Sequence, residues 1–188
     1  MTWQDAELRR HPILVAIALL WLALLQGCES DDVRPPPAEL QSFTPEVEFD
    51  RLWHLDVGVG SNAQILDLRP RFMDGVLYVV DAEGLITAVD PVEGERLWEW
   101  EGESSITAGL AAKSGLLFMV EENGRLVAFD TGSQTPLWTA PLSSESVVAP
   151  LTAGDVVIVQ TIDGRLTAFG LKDGVRRWEY VSATEPAL

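Results

Sequence analysis

The side chains capable of chemistry are few and poorly placed for catalysis. In 188 residues there is one cysteine, Cys28, and two histidines, His11 and His54. A Ser-His-Asp relay needs a histidine held between a hydroxyl and a carboxylate, and a histidine-based metal centre needs several imidazoles. His11 precedes an apolar run and His54 stands beside Trp53, so neither arrangement can be built, and His54 reads as a half-exposed strand residue. The acidic Asp31-Asp32, Glu83 and Glu121-Glu122 lack the spacing of a calcium loop and read as solvated tether and turn residues. Gly58 and Gly60 form a Gly-x-Gly with no third glycine and no helix after it, which rules out a nucleotide loop. No catalytic residue, metal ligand or cofactor is expected.

Cys28 is different. Arg9 and Arg10 precede an apolar run from Ile13 to Leu25, followed by Gln26-Gly27-Cys28 and an abrupt change to Glu29, Ser30, Asp31 and Asp32. That is the layout of a secretory signal, and the run is short of the roughly 20 apolar residues that span a bilayer. Leu25-Gln26-Gly27-Cys28 resembles a bacterial lipobox, in which the cysteine is acylated and becomes the first residue of the mature protein; Gln26 departs from the usual small residue. Acyl chains on Cys28 would hold the chain to a membrane. Glu29 after the cysteine suggests outer-membrane sorting. Residues 1–27 are therefore expected as a lipoprotein signal peptide, and 28–50, with Pro35-Pro36-Pro37, as a lipidated extended tether. With no second cysteine for a disulfide, the fold must be held by packing.

Asp and Glu number 29 against 13 Lys and Arg, a net charge of −16. Nucleic acid is bound by clustered cations, and the lysines here are Lys113 and Lys172 alone, so a nucleic-acid partner is excluded. The acidity describes a solvated rim or a surface for a basic protein.

The elements around these residues repeat. Trp98, Trp138 and Trp178 recur every 40 residues, with Trp53 standing 45 before the first. Residues 74–100, 114–140 and 154–180 align without gaps and share Gly84, Gly124 and Gly164, then Ala88, Ala128 and Ala168, then the tryptophans. Glu83-Gly84, Asn123-Gly124 and Asp163-Gly164 fall between apolar runs and predict two-residue hairpin turns in which glycine takes the positive φ. Val76–Val80 and Leu116–Val120 are apolar at consecutive positions, as in strands covered on both faces. The alanines would leave room for a neighbouring sheet, and each tryptophan would cover apolar area at the junction.

Each unit reads as four strands, about 65–72, 76–80, 85–90 and 96–101 in the first and the same plus 40 and plus 80 after it. Forty residues fit one blade of a β-propeller. The fold class is thus all-β: three four-stranded blades, about 65–101, 105–140 and 145–181, preceded by an orphan fourth strand at 51–57, together making a partial propeller over 51–188. Three blades cannot close a ring, and an open arc leaves faces and edges exposed, so the chain is expected to be the front part of a longer propeller.

The pattern Gly-x-x-x-Ala with Trp on the last strand resembles the repeat of pyrroloquinoline-quinone-type propellers. Within that superfamily, FTPEVEFDRLWHLDVGVG at 43–60, LSSESVVAPLTAGDVVIVQTIDGRLTAFGLKDGVRRWEY at 142–180 and the closing Glu185-Pro186-Ala187-Leu188 are similar to the BamB family of outer-membrane lipoproteins. The resemblance implies eight blades, an acylated Cys28, a periplasm-facing scaffold without enzymatic activity, and docking on the periplasmic domains of BamA in the β-barrel assembly machinery. It also implies a contact loop after the third blade, whose beginning matches Pro186 and Leu188. Quinone-dependent dehydrogenases share the repeat but typically use an adjacent cysteine pair, and a propeller lipoprotein with another envelope partner is the remaining alternative.

Overall fold

The structure, a computed structural model, describes residues 38–40, 47 and 49–182. Cys28, Pro186 and Leu188 lie outside them, as do the whole signal segment and most of the tether. Residues 49–182 form one compact unit of short strands: β1 (Asp67–Leu68), β2 (Arg71–Met73), β3 (Val76–Val80), β4 (Leu85–Val89), β5 (Arg96–Glu101), β6 (Ile106–Lys113), β7 (Leu116–Glu121), β8 (Arg125–Asp130), β9 (Thr135–Pro141), β10 (Leu151–Ala153), β11 (Val156–Gln160), β12 (Arg165–Gly170) and β13 (Arg176–Val181). They build three antiparallel meanders, ordered β2-β3-β4-β5, β6-β7-β8-β9 and β10-β11-β12-β13. The sequence reading places most of these strands within a residue of their bounds.

The first strand of the first unit is an exception. The expected 65–72 breaks at Arg69-Pro70, because a proline cannot donate to a ladder. Arg71–Met73 stays in the first sheet, whereas Asp67 and Leu68 run parallel to β6 as an added edge on the second. Arg69 reinforces this by donating its backbone N–H to the Gly109 carbonyl at 2.8 Å. A second departure is at 51–57, expected as a strand, where no ladder forms. A strand exists by pairing, and among the described residues this segment has no third strand to pair with. The corresponding start of the third unit, expected from residue 145, pairs only over Leu151–Ala153.

The turns also sort differently from the expectation. Gly84, Gly124 and Gly164 do hold positive φ, at 98°, 74° and 83°, but in three-residue loops and not two-residue ones. The Gly84 N–H donates to the Asp81 carbonyl at 3.3 Å while the Asp81 N–H donates to Leu85 at 3.1 Å. Glycine is the extra, left-handed residue of a bulged turn. A Cβ on Gly84 would also stand 2.6 Å from the Ser104 carbonyl oxygen, so alanine there would meet a steric barrier beyond its φ. The two-residue turns with positive φ at both positions are Asp74-Gly75 and Ser114-Gly115.

The core lies between sheets. Tyr78, Val80, Ile86 and Ala88 of the first sheet meet Leu117, Met119, Val127 and Phe129 of the second. On the opposite face of the second sheet, Phe118, Val120, Leu126 and Ala128 meet Val157, Val159 and Phe169 of the third. Successive residues of β7 thus go to opposite neighbours, which is why the run is apolar at every position. Ala88, Ala128 and Ala168 are fully buried, each directly opposite its tryptophan: Ala88 to Trp98, Ala128 to Trp138, Ala168 to Trp178. A bulge follows immediately in all three sheets, leaving Leu97 and Leu137 about half exposed.

The tryptophans then reach the next sheet. Trp98 stacks on Phe129 with centroids 6.1 Å apart. Trp138 donates its indole N–H to the Leu171 carbonyl at 2.9 Å and packs so closely on Gly174 that a Cβ there would lie 2.7 Å from the ring. Trp178 ends the series with 44% of its surface exposed. Substituting alanine separates these situations: Trp138→Ala is expected to lower unfolding stability by about 2–4 kcal/mol, and Trp178→Ala by less than about 1 kcal/mol. Urea titrations followed by circular dichroism check both values, and equal losses would contradict the assignment of the two environments.

Carboxylates tie the loops. Asp90 accepts from the Glu93 and Val92 N–H groups, Asp130 from the Ser133 hydroxyl and N–H, Asp163 from the Thr161 hydroxyl, and Asp173 from the Val175 N–H and the Arg177 guanidinium. Asp67 accepts from the Ala149 N–H at 3.1 Å and pairs with Arg69. Each of these bonds favours the ionised form, so all five carboxyls titrate below their ordinary range. A depressed folded pKa contributes stability that is present above the unfolded value of about 3.9 and is lost as pH falls through the folded values. The urea midpoint is therefore expected to hold between about pH 7 and 5 and to fall steeply below about pH 4. Asp67→Asn should flatten part of that slope, and an unchanged slope would remove Asp67 from the account.

Candidate functional site

The residues with chemical potential are dispersed. His54 is exposed, with Nε2 3.8 Å from the Asp56 carboxylate, and among the described residues no group of three His, Cys, Asp or Glu could hold a metal ion. Glu83 and Glu122 sit exposed in turns, and Glu121 accepts from Arg125 at 2.7 Å. These positions do not converge.

Gly58-Val59-Gly60, which sequence reading excludes as a nucleotide loop, has a structural task. Asp81, only 4% exposed, accepts from Glu83 and Leu85 through Oδ1, at 3.0 and 2.8 Å, and from the Val59 N–H through Oδ2 at 2.9 Å. The Ala82 N–H returns a bond to the Gly60 carbonyl at 2.8 Å. A Cβ on Gly58 would overlap the Asp81 carboxylate, so glycine is needed for the approach. Sequence reading missed Asp81; its signal is a lone acid between Val80 and Ala82 where the later units carry Glu121 and Thr161.

The same latch recurs: Glu122 donates to the Ser105 carbonyl and Ile162 to the Glu145 carbonyl, both at 2.9 Å. Residues 60, 105 and 145 are therefore equivalent, and so are Trp53, Trp98 and Trp138. Trp53 donates to the Pro91 carbonyl at 2.9 Å and lies on Gly94 just as Trp138 does on Leu171 and Gly174. Segment 51–60 thus closes the first sheet as the end of a preceding unit would. The five-residue excess between Trp53 and Trp98 falls in the turn after Gly60, where Asn62 and Ala63 are left-handed.

What remains open is surface. On the face of the second sheet that meets the third, Phe118 and Ala140 are buried. The equivalent face of the third sheet exposes Leu151 (64%), Trp178 (44%) and Tyr180 (60%), and every residue of β13 is exposed. On the first sheet, Phe72 is 66% exposed. Apolar surface of this kind is where another polypeptide packs.

Comparison with known proteins agrees with this architecture. The family model described as Outer membrane protein assembly factor BamB matches residues 82–188. The outer membrane protein assembly factor BamB of Vibrio cholerae is 38% identical, with 95% of this chain aligned to 46% of that protein. That of Nitrosomonas eutropha is 30% identical over 86% of this chain and 39% of its own length. The chain thus spans less than half the length of these relatives. Among solved structures, BamB from Moraxella catarrhalis matches 66% of this chain and 37% of its own at a TM-score of 0.55 and 22% identity. A europium-containing methanol dehydrogenase matches 60% and 25% at 0.51, also at 22% identity. At such identities the structural likeness is one of fold: a propeller repeat common to assembly factors and dehydrogenases. The family model covers most of the second and third sheets and more than half of the chain, and the chain belongs to the outer membrane protein assembly factor BamB family.

Proposed function

We propose that this chain is a non-catalytic scaffold for assembling outer-membrane β-barrel proteins, held to the outer membrane through acylated Cys28 and facing the periplasm, where it binds the periplasmic domains of BamA. The family match over residues 82–188 carries this reading. The architecture fits it: the sheets stack as propeller blades do, and the carboxylates and glycines that could suggest chemistry are engaged in turns and latches. The dehydrogenase likeness extends only to the fold.

In this reading the three sheets are consecutive blades of an eight-bladed ring, and Trp178 and Tyr180 of β13 lie on the face on which a fourth blade packs. Pro186 and Leu188 begin the loop that contacts BamA, and 28–50 is the tether between lipid and propeller.

Two measurements test it. Affinity purification of the chain from solubilised envelopes is expected to enrich BamA, and a chain that never enriches BamA or its isolated periplasmic domains overturns the partner assignment. Labelled palmitate should be incorporated into the chain and not into Cys28→Ser, which should also move from the membrane fraction to the soluble periplasm. Absence of label in the unmodified chain would refute the anchor.

A further inference from the structure

The two junctions between sheets each carry a groove on the side of the fourth strands, and the grooves differ in filling and charge. In the first, Trp100 of β5 reaches across to Phe129 with ring centroids 4.9 Å apart. Glu101, Glu103 and Glu121 line it together with one guanidinium, Arg125, which Glu121 already holds. An acidic segment would be repelled there.

The second groove, of about 490 Å³, has the opposite character. Forty residues after Trp100 stands Ala140, opposite Leu126 as Trp100 is opposite Ile86. The aromatic ring that covers Phe129 in the first groove therefore has no counterpart over Phe169 in the second, whose floor is Ala140, Leu142 and Phe169. The acidic rim is replaced as well: Pro141 and Ser143 take the positions of Glu101 and Glu103, and Arg176 takes that of Pro136. Its charged lining is Arg165, Arg176 and Glu179. Arg165 is bound by Glu179 at 3.0 Å and by Asp163 at 3.1 Å. The Arg176 side chain reaches Glu179 through one nitrogen only, at 3.4 Å; among the described residues its guanidinium makes no other hydrogen bond, and the side chain is 63% exposed.

Resting on the scaffold reading above, we propose that the second groove is a docking site for a protein segment that presents an aromatic side chain flanked by carboxylates. The ring occupies the space over Ala140 and Phe169 that Trp100 fills one junction earlier, and a carboxylate takes the remaining donors of Arg176. Aromatic anchors in apolar pockets and guanidinium–carboxylate pairs are the contacts that concentrate binding energy. The acidic first groove supplies the discrimination between two otherwise equivalent places.

The test uses the whole chain and a fluorescein-labelled peptide, Asp-Glu-Trp-Glu-Asp, titrated by fluorescence anisotropy. Saturable binding is expected, weakened at least about tenfold by Arg176→Glu and by Ala140→Trp, and changed less than about twofold by Arg125→Glu in the first groove. Replacing the peptide's Trp by Ser should weaken it by a similar factor. No saturable binding to the unmodified chain, full retention in Arg176→Glu, or equal binding of the Ser peptide each overturns the proposal. Should Ala140→Trp unfold, as thermal denaturation would reveal, the exposed Arg176 position decides alone. A negative peptide result leaves BamA co-purification as a separate outcome, so failure of the groove and failure of the scaffold reading are distinguishable.

Discussion

Everything in this chain hangs on sheets packing face to face. A single four-stranded meander of this size has two faces and little core of its own; it becomes stable when both are covered. The second sheet achieves this. Its β7 sends Leu117 and Met119 to one neighbour and Phe118 and Val120 to the other, and Trp98 and Trp138 on the last strands of the first two sheets carry the contact forward. Buried alanine opposite each tryptophan, the bulge beside it and the glycine under Trp138 all follow from fitting a large ring into that junction. The two outer sheets each have one face met this way, and their other faces expose Phe72 on the first and Leu151, Trp178 and Tyr180 on the third.

Strand positions were legible because that packing writes itself into sequence: apolar runs at every position for covered strands, and glycine at fixed offsets where the chain must turn. The turn geometry was less legible. Glycine with positive φ serves both a two-residue turn and a bulged three-residue one, and only the hydrogen bond from Asp81 to Leu85 tells them apart. The excursion of Asp67 and Leu68 onto the second sheet was hidden because it is decided by a partner some forty residues away, although Pro70 marked the break. Segment 51–57 shows the reverse case. Its tryptophan docks as the repeat demands, yet the backbone forms no ladder, since side-chain recurrence reports docking and not pairing.

The candidate site was legible in part. Composition showed that a Ser-His-Asp relay or a multi-histidine metal centre cannot be built from two histidines and one cysteine, and the tryptophan spacing located the junctions. It could not show that two equivalent grooves differ, because that difference arises only when residues from separate strands are brought together. Ala140 and Arg176 are unremarkable in sequence; beside Phe169 and Glu179 they make a half-apolar, cation-bearing cleft. Asp81 escaped notice for the same reason, since its role is to bind a backbone segment more than twenty residues earlier.

Asp67 has a mechanical consequence. The segment it belongs to leads into the first sheet, pairs with β6 of the second, and through its carboxylate holds Ala149, just ahead of β10 in the third. Face-to-face contact alone lets neighbouring sheets fan apart like cards held at one edge. A strap that touches all three acts as a chord beneath an arch and fixes how far they can splay. The splay of the sheets, and with it the presentation of any docking surface, is thereby restrained by a carboxylate that ties backbone to backbone.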